Sequence, residues 1–373
     1  MGLPLEGYSV VEIGSALAGP YCGRILGDLG ARIIKVEIPG TGDTARGWGQ
    51  RIYKNSSAQF QAMNKEKDSL IIDFHDAGDM ARLKDLIANG IDAVVQNLRP
   101  GVAEGAGVGA AACRALNPAI VYCNISAFGA QGPLADAAGY EPLLQAFSGM
   151  MEVTGDPDGP PARVGFSVND LGTGMWASIG ILGALLQRGR TGEGCVVDAA
   201  LLDTAFAWQT LSVAALLSTG QAPKRTGLKG TMVSPNRAFE TADGLLLLTI
   251  GTDTQFRKLC AAIGLPDLAT DDRFAENSAR VSNDDVLHAL LEAKLGTRGR
   301  HEWWRLLRDV DVPAAPVQTL EEAVVHPQTV ASGILQDPPD GSQQVVGIPM
   351  TFDGERPDYR RAAPGLGEGT DDI

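Results

Sequence analysis

Residues 18–37, AGPYCGRILGDLGARIIKVE, decide the fold class. Gly19-Pro20 interrupts the chain after the apolar run 10–13 and opens a helix, because proline is tolerated in a first helical turn. Gly30 stands where that helix stops, and Ile33 and Ile34 begin a second apolar strand ending in Lys35-Val36-Glu37. A helix between two such strands is one β-α-β unit, the building block of a parallel sheet. Working outward, strand-like runs recur at 93–96, 120–125 and 195–198. Helix-like runs lie at 80–89, 142–152, 172–187 and 199–217. This alternation predicts an α/β domain with a parallel sheet.

Past Gly220 the texture changes. Residues 221–230 are polar and basic with two glycines, as in a linker. A strand at 245–250 and helices at 254–263, 283–294 and 300–309 predict a second, smaller α/β unit. Residues 312–317, VPAAPV, form an extended return, and 343–350 suggest a further strand. The expected organisation is a large domain over 1–220, a linker and small domain over 221–311, and a return to the large domain over 312–373.

The 373 residues suit two domains, and 44% hydrophobic with 20% charged residues is ordinary for a globular chain. No apolar run is long enough for a membrane span. Met1 leads into a mixed segment without a basic and apolar leader, so a cytoplasmic protein is expected. The five cysteines are scattered and never form CxxC, and the four histidines share no ligand spacing, so neither a disulfide framework nor a metal is expected. The net charge of −14 argues against nucleic acid and anionic membranes as partners. The charge is uneven: residues 1–100 hold 11 Lys+Arg against 12 Asp+Glu, the remainder 20 against 33. An anionic ligand therefore suits the N-terminal part better.

The opening stretch resembles the N-terminal signature of the family III CoA-transferases, and the resemblance continues along the chain. Asn64-Lys65-Glu66-Lys67-Asp68-Ser69-Leu70 is similar to the N-K-x-K-x-S element of that family, and Asn97-Leu98-Arg99-Pro100-Gly101 to its N-x-R-P-G turn. Phe128-Gly129-Ala130-Gln131-Gly132-Pro133, Gly139-Tyr140-Glu141, Glu152-Val153-Thr154-Gly155 and Val168-Asn169-Asp170-Leu171-Gly172-Thr173-Gly174 follow in order, and Ala242-Asp243-Gly244 and 312–317 fit the small unit. The resemblance implies a large Rossmann-like domain, a small domain, and an interlocked homodimer with active sites between subunits. It implies transfer of coenzyme A from an acyl-CoA to a free carboxylate, with the CoA thioester as substrate and no further cofactor.

Asp170 matches the aspartate nucleophile of the family; by local rules alone it is an N-cap before a long helix. The two roles are compatible, since a helix N-terminus favours the ionised carboxylate that attacks a thioester. Gly172 and Gly174 would allow a bulky thioester to approach. Glu141 matches a position near the acyl site of oxalate-handling members; its alternative is a solvated glutamate at a helix start. The phosphates of CoA need cationic and backbone donors, for which Arg46, Lys65, Lys67 and Arg99 are the candidates, Arg99 foremost. Ala18 and Tyr140 complete the expected CoA-contacting set. Backbone amides near Asp170 or at Gly251 are the candidate oxyanion donors.

Two other motifs lead elsewhere. Residues 105–110 satisfy GxGxxA but follow no strand directly, and read as a helix-ending turn. Residues 165–169 lack the last glycine of a nucleophile elbow, and His326 is only a loose partner for a hydrolase. The alternatives kept are an α-methylacyl-CoA racemase of the same fold and a non-catalytic CoA-binding protein. The racemases carry a histidine base where Tyr140 stands here, which favours transfer. Leu17 replaces the glutamine of the oxalate-handling members, residues 251–255 replace their glycine-rich loop, and Gly369 stands where the family commonly has histidine.

Overall fold

The computed structural model describes residues 2–370, and the β-α-β unit around 18–37 is its nucleus. Strand β1 (Ser9–Ile13) pairs in parallel with β2 (Arg32–Glu37), Val10 opposite Ile33 and Val11 opposite Ile34. Helix α1 (Ala18–Asp28) connects them, with Cys22 and Leu26 on its buried face and Leu29 buried at its C-cap. It ends as the glycine predicts: Gly30 takes φ +107° and donates to Gly27 O, while Ala31 donates to Leu26 O. That pair of bonds is a Schellman cap, which needs the left-handed residue glycine supplies.

Four more parallel strands complete the sheet: β3 (Lys67–Ile71), β4 (Ala93–Gln96), β5 (Val121–Ser126) and β6 (Val196–Ala200). Their order is β3-β2-β1-β4-β5-β6, the doubly wound Rossmann order, which reverses direction between β1 and β4. Successive strand residues point to opposite faces. Val10, Ile33 and Val95 enter one core with α1; Val11, Ile34 and Val94 enter the other. Helix α2 (Ala77–Gly90) covers the second face through Met80, Leu83 and Ile87. On the first face lie α3 (Glu141–Phe147), the long α4 (Val168–Thr191) and α5 (Leu201–Trp208). Burial on both faces explains why β1, β2 and β4 read as largely apolar runs, and each fully buried Val, Ile or Leu contributes about 1.5–3 kcal/mol.

The outer side of β3 is closed by residues far away in the chain. Ser69 N–H donates to Glu368 O at 2.8 Å, and Gly367 N–H reaches Ser69 Oγ. Gly369 has φ +104°, a conformation that histidine would hold only under strain.

The second unit is built on an antiparallel sheet of β7 (Asn236–Thr241), β8 (Gly244–Thr249) and β9 (Ala314–Pro316), with β8 central. Helices α7 (Asp253–Ile263), α8 (Asp284–Leu295) and α9 (Arg300–Asp309) pack Phe256, Leu259, Leu287, Leu291, Trp303 and Leu307 into its core.

The boundaries depart from expectation. The large unit runs to Met151, resumes over Arg163–Ala222 and again from Pro327; the small unit is Glu152–Ala162 with Pro223–His326. Residues 312–317 are therefore not the return to the large domain, because Ala315 pairs with Leu247 in the small sheet. The helix expected over 142–152 stops at Phe147, and Gly149 turns the chain at φ +79°. The expected helix 199–217 is two helices, α5 and α6 (Thr210–Thr219), bent by 71°. Of the strand expected over 343–350 only Val345–Val346 forms. Residues 105–110 do end a helix, Val102–Gly105, as read from sequence.

Candidate active site

A cleft of about 720 Å³ opens over the carboxyl ends of the central strands. Its lining follows strand by strand: Ser15–Ala18 after β1, Asn97–Pro100 after β4, Ile125–Ala127 at the end of β5, and Leu201 after β6. This is the switch point where β1 and β4 diverge, the place open α/β sheets reserve for ligands. Glycine-to-glutamate residues 139–141 and the start of α4, with Ser167 and Asp170, complete the wall.

The turn after β1 is strongly constrained. Ala16 holds φ +70°, unusual for a residue with a Cβ. Its N–H donates to Asp43 Oδ1 at 3.0 Å. Asn97 clamps the preceding residue from both sides, accepting from Ser15 N–H at 3.1 Å and donating to Ser15 O at 2.9 Å. A side-chain ladder runs across the strand ends: Gln96 donates to Asn124, which donates to Asp198, each at 2.8 Å. The amides of Ala18 and Gly19 at the start of α1 have no acceptor among the described residues.

Asp170 is the third residue of α4, not its cap; Ser167 holds the cap position. The Asp170 carboxylate is half-buried and has no hydrogen-bond or ion-pair partner among the described residues. Burial, and then the nearby charge of Glu141, push it up to about 7. The helix N-terminus therefore does not win here, and Asp170 is held less ionised than its position in α4 implies. Glu141, the first residue of α3, is 5% exposed rather than solvated. Its Oε1 accepts from Gln145 Nε2 at 2.7 Å and from Asn169 N–H at 3.3 Å. Gln145 in turn accepts from Val164 N–H at 2.9 Å, so one buried amide ties α3 to the segment leading into α4.

Arg99 lines the cleft and is exposed; among the described residues its side chain has no partner, and it is the one cationic lining residue. Tyr140, 68% exposed, and Ala18 line it as well. The other three expected CoA contacts, Arg46, Lys65 and Lys67, are buried and lie outside the lining of this cleft. Arg46 makes two hydrogen bonds to Glu37, at 2.8 and 2.6 Å, and lies 3.8 Å from the centre of the Phe60 ring. Lys65 is paired with Asp28, and burial lowers its pKa against that attraction. Lys67, fully buried, reaches Glu12 Oε2 at 2.7 Å, and burial pulls it down to about 8. Each of the three is already paired with an acid inside the fold, and Arg46 also lines a separate cavity of about 380 Å³.

Gly172 and Gly174 are also required by packing. A Cβ on Gly172 would stand 2.7 Å from the Trp208 ring, and one on Gly174 2.7 Å from Ala18 O. The Gly251 amide, a candidate oxyanion donor, is occupied by Gln255 Oε1 at 3.0 Å. Sequence reasoning did not single out Asn97, Asp43 or Gln145. Asn97 opens the motif that drew attention only to Arg99, and it was the available signal. Nothing in the sequence marked the other two.

With this geometry in place, the kinship of the chain is specific. Residues 5–370 match the family described as CoA-transferase family III. The chain is 36% identical over 367 residues to the acetyl-CoA:oxalate CoA-transferase of Acetobacter aceti, covering 98% of this chain and 93% of that one. It is 36% identical over 376 residues to the succinate–glutarate CoA-transferase of Agrobacterium fabrum, covering 98% and 93%. A CAIB/BAIF family protein from Brucella suis superposes with a TM-score of 0.92 at 35% identity, covering 100% of this chain and 99% of that one. The chain belongs to CoA-transferase family III.

Proposed function

We propose that the protein transfers coenzyme A from an acyl-CoA to a short dicarboxylate, with Asp170 as the covalent nucleophile. The observation that carries this reading is the unpartnered Asp170 carboxylate in a switch-point cleft. A carboxylate with a pKa near neutrality is a better nucleophile than an ordinary one and still ionises at working pH. Its oxygen attacks the thioester carbonyl, the C–S bond breaks, and the CoA thiolate leaves a mixed aspartyl anhydride. The thiolate then attacks the aspartyl carbonyl and releases the donor carboxylate, giving an aspartyl-CoA thioester. The acceptor carboxylate attacks that thioester to form a second anhydride and free the thiolate again. Attack of the thiolate on the acceptor acyl carbon yields the new acyl-CoA and restores Asp170. Every step exchanges one acyl bond for another, so no oxidant, reductant or net proton is needed.

Arg99 is proposed to hold a phosphate of CoA, since it is cationic, free and in the cleft wall. The open amide of Ala18 adds a backbone donor. The names of the relatives, which pair acetyl or succinyl donors with oxalate or glutarate, support a short dicarboxylate as acceptor. A homodimer is part of the proposal. Met175, Trp176 and Ile179 on α4, Trp208 on α5, and Leu211 and Leu217 on α6 leave apolar surface uncovered in a single chain. Sedimentation at micromolar protein is expected to give twice the chain mass; a stable monomer refutes this part.

The direct test is mass spectrometry after incubation with succinyl-CoA and acetyl-CoA, with hydroxylamine as trap. A mass change on the peptide carrying Asp170, absent in Asp170→Ala, is expected. No adduct, together with deuterium uptake at the α-carbon of the acyl group in D₂O, would instead establish racemase chemistry.

A further inference from the structure

Six charged residues of β1, β2, β3 and the loop after β2 form a buried network that balances three acids against three bases. Lys35 Nζ stands 2.7 Å from Glu12 Oε1 and 2.8 Å from Asp43 Oδ2, and donates to Gly14 O at 3.1 Å. Lys67 Nζ pairs with the other Glu12 oxygen at 2.7 Å and donates to Pro20 O and Asn64 Oδ1, both at 2.8 Å. Asp43 Oδ1 accepts from Ala16 N–H and Ala45 N–H at 3.0 and 2.8 Å. Glu37, held by Arg46, accepts from Asp43 N–H at 2.8 Å. Lys35, Glu12, Asp43 and Lys67 have no exposed side-chain surface.

Stability alone does not account for such a network. Apolar side chains of similar volume commonly do as well as buried ion pairs, because desolvation cancels most of the Coulomb gain. What apolar residues cannot do is hold main-chain groups at defined points. Here the network grips Gly14 and Ala16, on either side of Ser15, and Pro20 just beyond. Ala16 at φ +70° persists only if its surroundings over-determine it. Ser15–Ala18 line the cleft, while none of the four fully buried charged groups does.

We infer that Glu12, Lys35, Asp43 and Lys67 are positioning residues that set the turn 14–18, and through it the affinity of the cleft for acyl-CoA. The motif residues Lys35 and Lys67 thus act on the ligand at one remove. The affinity part rests on the reading of the cleft given above; the positioning part does not.

Lys35→Met alone leaves Glu12 and Asp43 opposite one lysine and is expected to lower the unfolding temperature. Lys35→Met/Asp43→Asn restores charge balance, keeps the Glu12–Lys67 pair and loses the bond to Gly14. In the double variant, hydrogen exchange of the peptide covering 14–18 is expected to quicken, with the strands unchanged. KM for succinyl-CoA is expected to rise on the order of tenfold, the worth of one charge-assisted bond, with kcat moving less. A merely structural network predicts instead that exchange and KM recover in step with the unfolding temperature, and that result overturns the inference. Should the double variant not fold, Asp43→Asn alone weakens the bond from Ala16 N–H to residue 43 and is judged by the same two readouts. If the wild type neither binds nor turns over acyl-CoA, the cleft assignment fails, and the exchange comparison still decides whether the network positions the turn.

Discussion

At the scale of single residues, the environment of Asp170 governs what can be measured. Its carboxylate sits near pKa 7 because burial and Glu141 disfavour the charge. The nucleophilic form therefore gains population as pH rises, and kcat/KM is expected to climb through about pH 7. Glu141→Gln removes the neighbouring negative charge, so that limb should move to lower pH in a pH–rate profile. The same shift affects stability. A carboxylate whose folded pKa lies above its unfolded value costs nothing in acid, and the cost grows as pH rises towards 7. Asp170→Asn should thus abolish transfer while raising unfolding stability by up to about 4 kcal/mol at about pH 8, measured by denaturant titration. Arg99→Ala should raise KM for the acyl-CoA roughly tenfold or more and leave kcat near the wild-type value. The place of Arg99 in the cleft wall was legible because its motif turn sits beside a strand end. The burial of Arg46, Lys65 and Lys67 was not legible, since a cationic residue reads alike in sequence whether it meets water or a carboxylate. Lys65 meets Asp28 and Lys67 meets Glu12, partners too distant in the chain for local pattern to reveal.

At the scale of elements, period and punctuation carried well. The strand Ala93–Gln96 and the helix Arg300–Asp309 form over the residues their patterns mark, and Gly30 ends α1 as its position predicts. Patterns failed where the next event was tertiary. The apolar run after β6 looks like one helix, yet the chain bends at Gln209, whose amide donates to Ser148 O at 3.2 Å. Asp170 has a residue type favoured at caps, but Ser167 holds that position and the helix, starting at Val168, includes Asp170. The join of α1 and α4 yields its own prediction. Gly174→Ala puts a methyl against Ala18 O, in the cleft-lining segment. It should lower the unfolding free energy by about 1–3 kcal/mol, as overpacking does, and reduce transfer activity with it. Thermal unfolding and a rate assay on the same preparation test both.

At the scale of the whole molecule, the alternation of strands and helices fixed an α/β large unit and a small one, but not where the chain passes between them. Residues 152–162 lie with the small unit because Arg225 pairs with Glu152 and Gly227 donates to Gly155 O, contacts that no local composition announces. The closing of the sheet at β3 has a kinetic side. The Ser69–Gly367 bond joins residues 298 apart. At roughly 5–20 residues per second, a ribosome needs on the order of 15–60 s between making the two. Once β6 has been made, and until the last residues arrive, β3 is a bare edge on the sheet, the kind of surface that recruits another strand. Deleting residues 365–370 should make that interval permanent and be read as light scattering of the purified chain at 37 °C. The yield of soluble protein in a cell would then be set by how fast synthesis outruns aggregation, with chaperones guarding one strand.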